Sequence, residues 1–215
     1  VWADRLLIES GITDQQLISS MPLFTEMREE LMAGQYLDVL EGALATSNVE
    51  RSLKIARYKS GKYSIERPLH FGAALAGAPA STLATYSEYG LPLGEAFQLR
   101  DDILGVFGDP TVTGKPAGDD LREGKRTVLM AMAFEGAKPE QKQTLAKLLG
   151  NPTLSTEQIV SLQEIMRASG AVERCESLIT ELRDRSILAL RNSAIDSRIA
   201  PMLEEMAHTA TTRKL

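Results

Sequence analysis

Apolar residues recur at the spacing of an amphipathic helix along most of this 215-residue chain. Between Leu23 and Leu44, many apolar side chains are three or four positions apart, with charged residues between them. Leu, Ala and Met, which favour helices, number 61 together, whereas the sheet-favouring Val and Ile number 20. The pattern and the composition therefore predict an all-α fold and argue against a sheet.

Capping signals and helix breakers divide the chain into predicted helices. Thr13 with Gln16, and Ser155 with Gln158, have the spacing of a capping box, and Pro139 suits a first helical turn. We expect an opening helix that ends at Gly11, followed by helices over about 14–45, 47–59 (capped by Ser47), 68–80, 81–107, 127–136, 139–150, 155–169 and 171–192. The small residues of 68–80 predict a central helix, 108–120 is too rich in Gly and Pro to be regular, and the chain ends in a polar tail. Without an internal repeat or a linker, residues 1–215 are expected to form a single domain.

Charge and length exclude several classes of partner. Twenty-nine acidic residues against 24 basic ones give a net charge of −5, which argues against nucleic acid. The longest stretch without strongly polar residues, 71–80, has about half the length of a membrane span, so we expect none. The single cysteine, Cys175, excludes an intrachain disulfide and indicates a small core residue of a cytoplasmic protein.

Two adjacent carboxylates stand in an apolar helix. Asp101 and Asp102 lie among Leu99, Ile103 and Leu104, where two anions repel each other and lose hydration unless a cation compensates them. Oxygen ligands suit a hard divalent ion such as Mg²⁺, which usually shares its coordination sphere with substrate phosphates. The alternative is an ion pair between Asp101 and Arg100 or a neighbouring helix.

Basic residues occur both before and after this carboxylate pair. Lys115 follows Gly114, Lys125 and Arg126 follow Gly124, and an earlier group surrounds the step from Ser60 to Gly61: Arg57, Lys59, Lys62 and Arg67. Cations beside metal-binding carboxylates indicate a diphosphate site. For Lys62 and Arg67 taken singly, we favour the alternative that they are solvated charges at helix ends.

These motifs together resemble one family. Residues 97–105 (FQLRDDILG), 108–110 (GDP), 113–116 (TGKP) and 124–127 (GKRT) are closely similar to the second aspartate-rich region of the trans-isoprenyl diphosphate synthases, especially the bacterial farnesyl and geranylgeranyl diphosphate synthases. Residues 34–38 (GQYLD) and 58–63 (YKSGKY) resemble two further segments of this family, in the same order.

The resemblance implies a fold, a reaction and a cofactor. The fold would be an isoprenoid-synthase helical bundle around a central cavity, usually in a homodimer. The reaction would be the Mg²⁺-dependent transfer of an allylic diphosphate's prenyl group to isopentenyl diphosphate, which makes a longer trans-prenyl diphosphate.

The resemblance also implies roles for individual residues. Asp101 and Asp102 would bind the metal, and Asp101, Lys59, Gln98 and Lys115 would form the catalytic group. Substrate contacts would come from Lys59, Ser60, Gln98, Lys115, Lys125, Gln35 and Asp38.

The sequence departs from the family pattern in two respects. Gly105 stands where many members carry the third aspartate of Asp-Asp-x-x-Asp. The first aspartate-rich motif and the residues that set product length are expected before Val1, so N-terminal helices would be missing and this chain alone is predicted to be inactive. Two alternatives remain open: a non-catalytic synthase subunit, and a class I terpene cyclase or diphosphate hydrolase.

Overall fold

The computed structural model describes residues 1–114 and 116–213, and every regular element in that range is helical. The helices are α1 (Trp2–Ile8), α2 (Asp14–Leu44), α3 (Val49–Ala56), α4 (Arg67–Leu75), α5 (Ala80–Phe107), α6 (Pro110–Thr113), α7 (Asp119–Glu123), α8 (Val128–Gly136), α9 (Pro139–Leu148), α10 (Thr156–Ala168), α11 (Ala171–Arg191) and α12 (Ala200–Thr211). A π-helical segment, Arg57–Glu66, joins α3 to α4. Within these described residues, no helix is both long enough and apolar enough to cross a bilayer.

Most of the predicted helices are confirmed. Both capping boxes form, at Thr13 and at Ser155, and Pro139 begins α9. The expected helix over 81–107 is α5, which continues to Phe107 through three glycines and a proline.

Four local predictions are wrong. The cap of α3 is Asn48 rather than Ser47, because the Asn48 side chain accepts the Arg51 N–H at 2.9 Å. That helix does not end near Lys59, since helical backbone continues through the π-helical segment into α4. The stretch 108–120 is not wholly irregular, because it contains α6 and the start of α7. The predicted polar tail is α12, whose Leu203 and Ala207 pack into the core.

Helix α5 is the central element of the structure. One part of its buried face, including Leu99 and Ile103, packs in a core with α8, α10 and α11, and Cys175 is buried there as predicted. Nearer its start, Tyr89 and Leu93 pack against α11 and α12. The prediction that 68–80 forms the central helix is wrong, because the helix ends at Leu75, only three of its residues are buried and a Cβ at Gly72 would touch nothing.

Glycines instead bring the backbones together at the π-helical segment. A Cβ added to Gly94 of α5 would lie 2.3 Å from the Gly61 Cα, and one added to Gly34 of α2 would lie 2.6 Å from the Lys59 backbone nitrogen. Real Cβ atoms do not approach other atoms this closely, so only glycine permits these two contacts. The π-helical segment is thereby fixed between α2 and α5.

Ion pairs fix the other end of the same segment. Arg67, 8% exposed, donates to Glu30 at 2.7 Å and to Glu26 at 2.8 Å, and Lys62 also pairs with Glu30. The prediction that Lys62 and Arg67 are solvated charges at helix ends is therefore wrong. Their partners lie on α2, so these charges hold α2 against the π-helical segment.

The contact between Gly61 and Gly94 predicts a large difference between two Gly→Ala substitutions. Gly94→Ala should lower the free energy of unfolding by about 1–3 kcal/mol, since the two backbones must separate to admit a methyl group. Gly72→Ala, in the middle of α4 with open space around it, should raise it by about 0.5–1 kcal/mol through helix propensity. Urea unfolding of both variants measures the difference, and equal effects would contradict this account of the packing.

Candidate active site

A cavity of about 570 Å³ opens where the second half of α5 faces the π-helical segment, α2 and the segment 116–128. This volume is typical of a small-molecule site. Its lining among the described residues includes five carboxylates (Asp38, Asp101, Asp102, Asp119 and Asp120) and four cations (Lys59, Lys125, Arg126 and Arg213). Charged groups of both signs thus meet in one cavity.

Asp102 is the most deeply buried carboxylate of this group, at 4% exposure. Burial raises its pKa to about 7, and the nearby carboxylates Asp120 and Asp101 also raise it. Hydrogen bonds from Gln98 and the Val128 backbone lower this pKa and so oppose part of the rise. None of the ion pairs in the described part of the chain involves Asp102. Its ionised form is therefore poorly compensated, and a cation bound there would stabilise it.

Gln98 links Asp102 to the π-helical segment. The Gln98 Nε2 donates to Asp102 Oδ1 at 2.8 Å, and the Ser60 hydroxyl donates to Gln98 Oε1. Gln98 precedes Asp102 by one helical turn, so both side chains lie on the same face of α5. The Ser60 contact fixes which amide atom faces the carboxylate.

Lys59 reaches across the cavity from the π-helical segment to α2. Its Nζ lies 2.6 Å from Asp38 Oδ2, and both side chains are about one-third exposed. A partly exposed ion pair of this kind is weak, so an incoming anion can replace Asp38 as the partner of Lys59.

Lys125 forms a second such pair at the opposite wall. It contacts Asp120 and lies 3.0 Å from Glu123 Oε2, and these hydrogen bonds raise its pKa although burial opposes the charged form. The ammonium of Lys125 is therefore charged at neutral pH.

Asp120 also occupies the space beside Gly105. A Cβ added to Gly105 would lie 2.0 Å from Asp120 Oδ2. The position expected to carry a third aspartate thus has no side chain, and a carboxylate from α7 fills its place.

Asp101 is more exposed than its neighbour, at 38%. Its Oδ1 accepts a hydrogen bond from Arg213 Nη2 at 2.6 Å, and the Arg213 guanidinium lies over the Phe97 ring, 4.5 Å from its centroid. The predicted alternative was an ion pair of Asp101 with Arg100 or a neighbouring helix. The pair with Arg100 does not form, because Arg100 binds Glu176 in a bidentate pair at 2.7 and 2.6 Å, but Asp101 does pair with Arg213, just beyond α12.

The structure brings most of the predicted site residues together, with two exceptions. Lys59, Ser60, Gln98, Asp101, Asp102, Asp38 and Lys125 line the cavity. Gln35 is exposed on α2 and is not part of the lining, and Lys115 lies outside the described residues.

Three charged lining residues were not predicted as part of the site: Asp119, Asp120 and Arg213. Asp119 and Asp120 form a second aspartate pair that the sequence displays within its stretch of glycines and prolines. Arg126 follows Lys125 but turns towards Ser47, to whose hydroxyl it donates at 3.2 Å. Nothing in the sequence indicates that Arg213, more than a hundred positions from Asp101, closes one side of the cavity.

The carboxylate oxygens of Asp101 and Asp102 suit a hard divalent cation, which they would bind from one side only. In the part of the chain that the structure describes, no three His, Cys, Asp or Glu side chains lie close enough to enclose a metal ion. Asp101 and Asp102 nevertheless offer oxygen donors, and burial, together with the nearby carboxylates Asp120 and Asp101, raises the pKa of Asp102, so a bound cation would stabilise its ionised form. Further ligands would then come from a bound anion or water.

Known proteins resemble this chain over most of its length. The geranylfarnesyl diphosphate synthase of Aeropyrum pernix is 34% identical over 197 residues, which are 91% of this chain and 60% of that protein. The geranylgeranyl diphosphate synthase of Sulfolobus acidocaldarius is 32% identical over 158 residues, 73% of this chain and 47% of that protein.

Among solved structures, a geranylgeranyl pyrophosphate synthase from Corynebacterium glutamicum, complexed with isoprenyl diphosphate and magnesium, is 39% identical with a TM-score of 0.96. The match covers 99% of this chain and 60% of that one, so this chain spans about 60% of its relative. The all-α isoprenoid-synthase fold predicted from the sequence is confirmed by this similarity.

The sequence profile of the Polyprenyl synthetase family matches residues 4–166. The chain also shares its fold with prenyl synthases, and two aspartates and a lysine line one cavity. It therefore belongs to the polyprenyl synthetase family.

Proposed function

We propose that the protein condenses an allylic diphosphate with isopentenyl diphosphate to make a longer trans-prenyl diphosphate. The relatives named above are synthases of prenyl diphosphates, which supports this reaction class. The observation that carries the proposal is the cavity in which Asp101 and Asp102 face Lys59 and Lys125. A diphosphate that brings a divalent cation would satisfy both kinds of charge at once.

In this proposal Asp101 and Asp102 hold Mg²⁺, and the C. glutamicum relative was crystallised with that ion and an isoprenyl diphosphate. When bound, Mg²⁺ would neutralise charge that develops on the leaving diphosphate as the allylic carbon–oxygen bond breaks. Gln98 keeps the Asp102 carboxylate oriented for this task, because its amide is fixed by Ser60.

The two lysines bind diphosphate oxygens by exchanging partners. In the structure Lys59 pairs with Asp38 and Lys125 with Asp120, so both ammonium groups already lie at the cavity. We infer that an incoming diphosphate replaces these carboxylates, and that Lys115 contributes a third cation, as the family resemblance implies. These lysines favour chain elongation over the terpene cyclase alternative.

Asp120 supplies negative charge in place of a side chain at position 105. Its carboxylate fills the space next to Gly105 and raises the pKa of Asp102. We infer that this arrangement compensates for the third aspartate of the Asp-Asp-x-x-Asp pattern.

We further propose that the protein is a cytoplasmic homodimer, as the resemblance implies. Helix α2 supports burial of one face in an assembly, because it exposes Met32, Tyr36 and Val39 at helical spacing.

The full-length gene product should make a longer prenyl diphosphate from labelled isopentenyl diphosphate and an allylic diphosphate in the presence of Mg²⁺. Liquid chromatography with mass spectrometry would identify the product and its chain length. If the protein folds but makes the condensation product only when a second synthase chain is added, it is instead a non-catalytic subunit. Release of a cyclic hydrocarbon or of free prenyl alcohol would favour the cyclase or the hydrolase.

Asp102→Asn should reduce kcat/KM by about 100-fold or more, because the carboxylate charge that holds the cation would be lost. The Asn side chain can still accept the Gln98 hydrogen bond, so the fold should be retained. Asp184→Asn, at an exposed carboxylate on α11 that pairs with Arg183, is the matched control and should change activity little. Steady-state kinetics with both variants measure the effect, and activity within a few fold of wild type in Asp102→Asn would refute the metal assignment.

Asp102→Asn should also stabilise the metal-free protein in a pH-dependent manner. The Asp102 pKa is raised from 3.8 to about 7 in the folded protein, so ionisation opposes folding as the pH rises through this range. Well below pH 3.8 the carboxyl group is protonated in both the folded and the unfolded protein, and the penalty disappears. Urea unfolding in a chelator should therefore show a larger gain for Asp102→Asn at pH 8 than at pH 5. A gain that is equal at both pH values would contradict the raised pKa.

A further inference from the structure

One row of side chains on α2 contacts both the π-helical segment and the start of α4. Its members are spaced four positions apart and therefore lie on one face of the helix: Glu26, Glu30, Gly34 and Asp38. The two glutamates bind Arg67, the first residue of α4. The other two contact Lys59, the glycine through its backbone and the aspartate through its ammonium group. The same row thus fixes a buried arginine at one end and a lysine of the cavity at the other.

Arg67 is bound at all three nitrogens of its guanidinium. Its Nε and Nη2 donate to the two oxygens of Glu30 at 2.7 and 2.9 Å, and Nη2 also donates to Glu26 at 2.8 Å. Nη1 lies 3.3 Å from His70 Nδ1, which is the acceptor because His70 Nε2 donates to the Leu83 carbonyl of α5 at 2.9 Å. This planar fork of donors has a fixed geometry, which a lysine ammonium does not reproduce.

The π-helical segment is bound to the same glutamate. Lys62 also pairs with Glu30, and Lys62 Nζ and Arg67 Nε lie 3.9 and 4.0 Å from Glu66 Oε2. Lys62 follows Lys59 by three residues, which is less than one turn of a π-helix. The position of Glu30 therefore bears directly on the backbone that carries Lys59.

The Lys59 ammonium depends on this backbone for its position. Its pair with Asp38 is about one-third exposed and hence weak, and the lysine side chain has several rotatable bonds. The backbone contact is tight, since a Cβ added to Gly34 would lie 2.6 Å from the Lys59 nitrogen. A small shift of α2 along the π-helical segment would therefore move the base of the Lys59 side chain relative to the cavity.

We propose that Arg67 is a positioning residue for the diphosphate site and acts through Lys59. By binding Glu30 and Glu26 it fixes α2 against the π-helical segment, and the Lys59 ammonium then reaches the bound anion. Among the described residues that line the cavity, Arg67 is absent, so it has no contact with the anion itself. The inference rests on the proposed function, since it assumes that Lys59 binds a diphosphate.

Calorimetry with inorganic diphosphate and Mg²⁺ on the full-length gene product tests this inference without turnover. Arg67→Lys keeps the charge but loses the bidentate pair, so it should weaken diphosphate binding about 5–10-fold. Lys59→Gln should weaken binding about 10-fold or more, because one cation is lost. The double variant should match Lys59→Gln within about twofold, because Arg67 acts through that lysine. Arg191→Lys, at an exposed arginine in a bidentate pair with Glu204, is the matched control and should leave the affinity unchanged.

Glu26→Gln provides a second variant that does not depend on the folding of Arg67→Lys. Glu26 is half-exposed and is one of two glutamates that bind Arg67, so the fold should be retained. The variant should weaken diphosphate binding about 2–4-fold with Lys59 present and leave it unchanged in Lys59→Gln. Removal of a negative charge would by itself strengthen the binding of an anion, so weaker binding reports a change of position. Unchanged or stronger binding would contradict the inference.

The outcomes separate this inference from the function on which it rests. If Arg67→Lys binds diphosphate within twofold of wild type, the arginine has a structural role only and the proposal is wrong. Losses that multiply in the double variant would also overturn it, because Arg67 would then act independently of Lys59. If Lys59→Gln binds as wild type does, both the lysine assignment and this inference are wrong. The expected affinities in a protein that makes no longer prenyl diphosphate would refute the condensation and leave the role of Arg67 intact.

Discussion

The contact of the π-helical segment with α5 and α2 is the constraint on which the rest of the structure depends. Gly61 lies against Gly94, and Gly34 lies against the Lys59 backbone, at distances that no larger residue allows. Lys59 and Ser60 are adjacent to these contacts, so their side chains begin at positions determined by backbone packing. The wider turns of a π-helix are uncommon and occur often at functional sites. Here they coincide with the residues that face Gln98 and Asp38.

Ion pairs between opposite charges hold the side chains of this site together. Lys59, Lys125 and Arg213 each contact a carboxylate that lines the same cavity. Such pairs are partly exposed and hence weak, which keeps the cations near the cavity without holding them permanently. Asp102 differs from these groups, because it is buried and is oriented by a neutral amide. The site thus combines exchangeable ion pairs at its edge with one poorly compensated carboxylate at its base.

The helices could be predicted from the sequence because they depend on local signals, whereas the site residues were assigned from the resemblance to one family. Capping boxes at Thr13 and Ser155 and the apolar spacing of α5 involve residues within a few positions of one another. Predictions failed where contacts distant in sequence decide the outcome. The small residues of α4 indicated close packing, but the close packing occurs at Gly61 and Gly94.

The same reason explains the charged residues that were misjudged. Glu66 lies close to Lys62 and Arg67 in the sequence, but their shorter ion pairs are with Glu30 and Glu26 on α2, more than thirty positions earlier, so the local sequence does not reveal their burial. Arg213 could not be assigned to the site, since only the folding of α12 onto α11 and α5 brings it there.

The proximity of Asp120 and Gly105 has an evolutionary consequence. Because the Asp120 carboxylate occupies the volume that a side chain at position 105 would need, a larger residue at 105 requires the Asp120 side chain to move, and the effects of substitutions at the two positions are coupled. A lineage that acquires aspartate at position 105 must also move or shorten residue 120, and a loss of Asp120 would make room for an acid on α5. Gly105 and Asp120 both line the cavity, so a carboxylate at either position would present its charge to the same space.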